Sequence, residues 1–145
     1  MAAIAQFPAE SLFTLCTDAW TQPWWDAARE HRLTAPCCED CGRFRMPPTP
    51  FCPHCRSQRL RWPTLSGRGT LFSYTVVTRA VIPAMENCIP YVPALVDLDD
   101  APGARLTTAI VGVPIDAIAI GAAVTVVFED RSDGVVVPRF TLATA

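Results

Sequence analysis

The chain has 145 residues, half of them apolar, with twelve arginines set against fourteen acids for a formal net charge of −2. Lysine is absent, and no uninterrupted apolar run reaches the roughly 18 residues of a membrane span, so a helical membrane protein is not expected. The length suits one ordinary domain, or a small metal-stapled unit joined to a domain of about 80 residues.

The first forty residues read as helical and aromatic. Pro8 to Cys16 predicts a short first helix. Thr21 is placed to cap a second, running from about Gln22 to Arg32 with Pro23 in its first turn. Asp26 falls near the positive end of that helix dipole, and Arg29 and Arg32 near the negative end. Trp20, Trp24 and Trp25 give this short arm a large apolar surface, which either caps a small core or meets a partner. His31 lies among charges and is expected in solvent. The segment Met1 to Pro8 lacks a charged region followed by an apolar run, so secretion and a disulfide framework are not expected, and the seven cysteines should be reduced in a cytoplasmic setting.

Next comes the most specific signal in the chain. Cys38, Cys41, Cys52 and Cys55 form two C-x2-C pairs separated by ten residues, the spacing that folds two knuckles around one tetrahedral Zn2+. Gly42 and Pro53 suit the tight turns such knuckles need. Cys37 competes for the first ligand position but would give a C-x3-C loop, so Cys38 fits better. His54, flanked by cysteines, should point outward. Four thiolates leave no open position for water, which makes a structural metal the expectation rather than a catalytic one. From Cys41 to Arg68 there are six arginines and no acid. That basic ribbon suits phosphates of a nucleic acid or a cofactor, and equally a solvated arginine face.

After a strand near Arg59 to Pro63, the pattern turns to alternating, β-branched segments. Strands are predicted at Gly67 to Arg79, Tyr91 to Leu98, Ala104 to Val111, Val124 to Phe128 and Gly134 to Phe140. Asp99 to Gly103 makes a turn between the second and third, and Pro114 and Asp116 open one helical turn ending at Gly121. Five strands with a helical piece between the third and fourth is the layout of an OB barrel. Pro93 and Pro138 would sit at the remaining sheet edge, and Phe72, Tyr74, Phe128 and Phe140 read as core.

Taken in order, the aromatic helix with Trp25-Asp-Ala-Ala-Arg-Glu30, the knuckle Cys38 to Gly42, Pro47 to Cys55, Trp62, Ser66-Gly-Arg-Gly-Thr70, Tyr74 to Val77, Pro90 to Leu98, Gly121, Val127 to Asp130 and Pro138 to Phe140 resemble one family. It is the acyl-CoA-associated zinc-ribbon and OB-fold family, formerly a domain of unknown function. The resemblance implies a mainly β chain with an N-terminal helical arm (1–35), a rubredoxin-like zinc ribbon (36–65) and a five-stranded OB-fold barrel (66–145). It further implies an accessory subunit of a thiolase-like enzyme, in a hetero-oligomer that makes or breaks carbon–carbon bonds on acyl-CoA. Reactions of that kind include thiolysis, acetyl transfer and retro-aldol cleavage.

The residues themselves offer little chemistry. A thiolase-type reaction needs a cysteine nucleophile beside a base, yet Cys16 and Cys88 have no histidine near them in sequence, so no catalytic residue is assigned and catalysis falls to the partner. Arg43, Arg45 and Arg68 suit the phosphates of coenzyme A, the loop from Ile82 to Pro93 suits its apolar arm, and Trp20, Trp24 and Trp25 suit docking. The competing reading is a single-stranded nucleic-acid-binding module. Against it, the chain from Gly69 onward carries eight acids and four arginines.

Overall fold

The side-chain alternation of Val92-Pro-Ala-Leu-Val-Asp-Leu98 places Val92, Ala94, Val96 and Leu98 inside and the intervening residues toward the surface, as a half-buried strand requires. The computed structural model describes residues 2–144 and repeats this device around a closed barrel. Its strands are β3 (Arg68–Tyr74), β4 (Val92–Leu98), β5 (Arg105–Ile110), β6 (Ala123–Asp130) and β7 (Val136–Leu142), preceded by α1 (Gln22–Arg29) and the short strands β1 (Cys37–Cys38) and β2 (Leu60–Arg61). The barrel order is β3-β4-β5-β7-β6, with β6 returning to β3. Every pairing is antiparallel except β5 with β7. A 3-10 turn at Ile115–Ala117 lies between β5 and β6, so the expected five-stranded OB layout is the one observed. Leu71, Val92, Val96, Ile110, Val124 and Phe140 fill the interior.

Strand β3 is shorter than the sequence suggests, and its middle is irregular. Leu71 faces Val96 while Ser73 faces Leu95, which leaves Phe72 as the extra residue of a bulge. Phe72 follows the buried Leu71 in a strand whose burial alternates from Arg68 onward, so it faces outward, 44 % exposed, and does not join the core as expected. The Arg105 guanidinium covers its ring at 3.3 Å from the centroid, and Arg105 Nε bonds Asp97 Oδ1 at 2.7 Å. One face of this outward aromatic is thus covered by a cation. At the start of β3, Gly67 has φ +82°, and a Cβ there would come within 2.6 Å of Val126 Cγ1.

The N-terminal segment, expected as an arm, is fastened along the barrel. Ala5 N–H donates to the Val113 carbonyl (2.8 Å), Gly112 N–H to the Ala5 carbonyl (2.9 Å) and Gln6 N–H to the Pro90 carbonyl (2.8 Å). The buried Arg131 then holds the next turn, donating to the carbonyls of Glu10 (2.5 Å) and Phe13 (3.1 Å). The first predicted helix shrinks to a 3-10 turn at Glu10–Leu12. Helix α1 lies against β7 and buries Ala27 and Ala28.

Helix α1 also stops earlier than the sequence suggests. His31 takes φ 54°, its N–H donates to the Ala28 carbonyl, and Arg32 N–H donates to the Ala27 carbonyl, which together form a Schellman end. Thr21 makes no side-chain cap. Asp18 Oδ1 instead accepts from the N–H groups of Trp20 and Thr21, both at 2.9 Å, and closes the turn that leads into the helix.

The ribbon leaves and re-enters the barrel through one neck. Thr34 pairs with Thr64 in an isolated bridge, Thr34 Oγ1 donates to the Pro63 carbonyl (2.7 Å), and Leu65 N–H donates to the Leu33 carbonyl (2.8 Å). Leu33 and Leu65 on either side are buried in the barrel core.

Candidate metal centre and its surroundings

Strands β1 and β2 pair through Cys37 with Arg61 and Cys38 with Leu60, and Cys37 also bridges Phe44. On this small base stand two knuckles of the same backbone design. In the first, Gly42 N–H donates to the Cys38 carbonyl and Cys38 N–H to the Arg43 carbonyl. In the second, Arg56 N–H donates to the Cys52 carbonyl and Cys52 N–H to the Ser57 carbonyl. The fourth residue after each leading cysteine has positive φ, Gly42 at 73° and Arg56 at 63°. Glycine at the first of these positions was legible in the sequence. Arginine in the left-handed region at the second was not.

The two knuckles bring four sulfurs together. Cys38, Cys41, Cys52 and Cys55 have all their Sγ atoms within 4.8 Å of one another. Between knuckles, Cys38 Sγ lies 3.5 Å from Cys55 Sγ and Cys41 Sγ lies 3.6 Å from Cys52 Sγ. Zinc–sulfur bonds of about 2.3 Å in a tetrahedron put sulfurs about 3.8 Å apart, whereas a disulfide needs about 2.05 Å. The cluster therefore has the dimensions of a tetrathiolate metal site, and the cysteines are free of disulfides.

Backbone hydrogen bonds favour the thiolate at Cys38 and Cys52, whereas burial and the neighbouring sulfurs push Cys41 and Cys55 upward. The Cys41 N–H first, and then that of Asp40, lower the Cys38 thiol to about 6 against the opposing effect of burial. The Cys55 N–H does the same, in direction, for Cys52. Cys37 takes no part: its thiol faces the Gly42 carbonyl at 3.3 Å. His54 is turned outward, with Nδ1 2.6 Å from Arg43 Nη1, so its ring nitrogen accepts from the guanidinium. Around the first knuckle Asp40 pairs with Arg59 and accepts from Ser57 Oγ, which holds its carboxyl down at about 2.

The three arginines singled out in the sequence have different fates. Arg43 is exposed on the ribbon beside His54. Arg68 is exposed at the mouth of β3, near Asp100, whose carboxylate accepts from Ser66 N–H at 2.5 Å. Arg45 is 5 % exposed, and its Nη1 donates to the Ser57 carbonyl at 3.0 Å, so it is withdrawn from the surface where a phosphate would be met.

The tryptophans divide as well. Trp24 packs against the barrel core and meets Trp25 edge-on, centroids 4.5 Å apart at 86°. Trp20 remains exposed, as do Phe7, Leu12 and Phe13 on the preceding strap.

Sequence reasoning missed a groove between the strap and the end of β6, lined by Phe7, Pro8, Cys88, Phe128 and Asp130. His31 stands beside it and is not simply solvated. Its ring stacks on Phe128 at 4.9 Å and 8°, and Nε2 lies 2.8 Å from Asp130 Oδ1. Residues so far apart in the chain left no local signal. A second, shallow cleft on the outer face of β3 to β5 is lined by Tyr74, Thr75, Pro93, Leu95 and Thr107.

Comparison with known proteins gives this geometry its relatives. Residues 25–61 match the ChsH2 rubredoxin-like zinc ribbon domain and residues 62–129 the ChsH2 C-terminal OB-fold domain. A DUF35 domain-containing scaffold protein of Methanothermobacter thermautotrophicus is 35% identical over 118 residues, covering 78% of this chain and 86% of that protein. A probable enoyl-CoA hydratase alpha subunit of Thermomonospora curvata is 39% identical over 81% of this chain, and the 3-oxo-4,17-pregnadiene-20-carboxyl-CoA hydratase alpha subunit of Mycobacterium tuberculosis is 32% identical over 76%. The chain spans only about a third of the length of these two, 35% and 34% respectively. Among solved structures, one described as an Ltp2-ChsH2(DUF35) aldolase superimposes with a TM-score of 0.81 at 34% identity, over 90% of this chain and 100% of that one. A DUF35 protein of unknown function from Sulfolobus solfataricus, at 16% identity and TM-score 0.62, shares the fold. With a zinc-ribbon cluster and an OB barrel in the same order as these relatives, the chain belongs to the DUF35 family.

Proposed function

We propose that this chain is a non-catalytic accessory subunit that binds a thiolase-like enzyme and helps position acyl-CoA substrates for making or breaking a carbon–carbon bond. The observation that carries this reading is the match, over nine-tenths of the chain and the whole of the other, to the structure described as an Ltp2-ChsH2(DUF35) aldolase. The names scaffold protein and hydratase alpha subunit among the relatives are of the same kind.

Within this reading Cys38, Cys41, Cys52 and Cys55 hold a structural Zn2+, which supplies cross-linking and no open coordination position. Arg43 and Arg68 remain on the surface as phosphate-binding candidates, and the cleft beside Tyr74 and Leu95 offers an apolar wall for the thioester arm. The exposed Trp20 and the half-buried Trp25 are the docking candidates. The two histidines are engaged with Arg43 and Asp130, which is consistent with chemistry supplied by the partner.

The test is co-expression with a thiolase-like enzyme and an assay of acyl-CoA cleavage with and without this subunit. The reading expects a large loss of rate when the subunit is omitted. A partner working at full rate alone overturns it. Titrating a CoA thioester into the complex then assigns Arg68: unchanged affinity in Arg68→Ala removes that residue. Because the segment from Ala3 to Phe13 is bonded to the barrel, docking is better tested by Trp20→Ala and loss of co-purification than by truncation.

A further inference from the structure

We propose that Arg45 is the internal counter-charge of the metal centre: a buried guanidinium whose positive charge offsets the net double negative charge of a zinc ion held by four thiolates. This rests on the reading that the cysteine cluster holds zinc. A charge withdrawn from water is costly unless an opposite charge or a full set of hydrogen bonds replaces the water. Arg45 is 5 % exposed, yet among the described residues no carboxylate pairs with it. Its one hydrogen bond is to a neutral acceptor, the Ser57 carbonyl, and its Nε and Nη2 have no partner although both are buried.

The metal centre is where the missing negative charge would stand. Ser57's carbonyl accepts both Arg45 Nη1 at 3.0 Å and Cys52 N–H at 2.8 Å, so the guanidinium is one carbonyl away from a ligand residue of the second knuckle. Two donors sharing one acceptor are at most about 6 Å apart. On its other side, Arg45 N–H donates to the Pro36 carbonyl, and its neighbour Phe44 bridges Cys37, next to the first ligand Cys38. Arg45 is therefore tied by hydrogen bonds to a residue beside each knuckle, Pro36 at the first and Ser57 at the second. The nearby cations Arg43 and Arg59 are exposed and are engaged with His54 and Asp40. In this buried setting a cation is screened less than those at the surface.

Substitutions at Arg45 separate its charge from its hydrogen bond. Zinc affinity of the purified protein is measured by competition with a chromophoric chelator for the wild type and for Arg45→Lys, Arg45→Gln and Arg45→Met, with the exposed Arg61→Met as control. Arg45→Lys keeps the charge and should bind zinc within about threefold of wild type, whereas Arg45→Gln keeps a donor for Ser57 but should bind at least tenfold more weakly, as should Arg45→Met. Circular dichroism checks that the barrel is folded in each. If Arg45→Met does not fold, the lysine and glutamine variants decide. Equal affinity of Arg45→Gln and wild type would overturn the counter-charge role, and a wild type that binds no zinc would overturn the metal reading beneath it.

Discussion

The ribbon and the barrel solve the problem of staying folded in different ways. The barrel closes on itself through one short parallel contact, Ile110 with Phe140, and fills its interior with Leu71, Val92, Val96, Ile110, Val124 and Phe140. The ribbon has two strands of two residues each, and much of what it buries is cysteine and proline near the neck. Too small to bury a core, it is the kind of unit that a metal bound by its four cysteines would hold. One region is held by apolar area and the other, on that reading, by a point. The same chain should therefore respond to different injuries in separate places.

Removing the metal should have the largest effect, because structural zinc contributes on the order of 10–16 kcal/mol to folding small ribbons. Cys52→Ser, or strong chelation with a reductant present, should unfold residues 36–62 and make them protease-sensitive while the barrel retains its β-sheet signal. Hydrogen exchange resolves the two regions, and simultaneous melting of both would abolish the distinction drawn above. Phe140→Ala, deleting a fully buried ring, should cost about 3–5 kcal/mol in denaturant titration and leave zinc stoichiometry unchanged. Gly67→Ala combines φ +82° with a 2.6 Å clash against Val126, and should cost about 1–3 kcal/mol. Gly42→Ala meets nothing within 4 Å and should cost only about 1 kcal/mol, from its positive φ alone.

The smallest expected effect is a pH dependence. Ser66 N–H holds the Asp100 carboxyl below its ordinary 3.8. A depressed folded-state value means that the contribution is complete above the unfolded value near 3.8 and fades as pH falls below it. Asp100→Asn should therefore flatten the acid side of the thermal-stability profile and change nothing at neutral pH beyond a constant offset.

How far the sequence could be read depended on the range of each signal. The zinc knuckles are local: C-x2-C spacing and Gly42 sit within a few residues of the atoms they arrange, so the cluster was readable. The barrel strands were readable because alternation such as Val92 to Leu98 is a local consequence of two-sided packing. Arg43 and Arg45 show the limit. Two positions apart and chemically identical, one is exposed and one buried, and the buried one is held by bonds to carbonyls remote in the chain, those of Pro36 and Ser57. The strap is held by backbone bonds from Ala5 and Gln6 to Val113 and Pro90, which no side-chain pattern announces. Phe72 was misplaced because its apolar character suggested core, whereas alternation from the buried Gly69 and Leu71 puts it on the outer face.

The neck at Thr34 and Thr64 has an architectural consequence. Because the polypeptide departs and returns side by side, everything distal to that crossing is topologically an insertion in an otherwise continuous strap-and-barrel unit. Such a layout lets the distal loop be shortened, replaced or left without its ion while the host keeps its connectivity. At the same time, Leu33 and Leu65, seated in the host's interior, anchor whatever the loop carries at a fixed bearing.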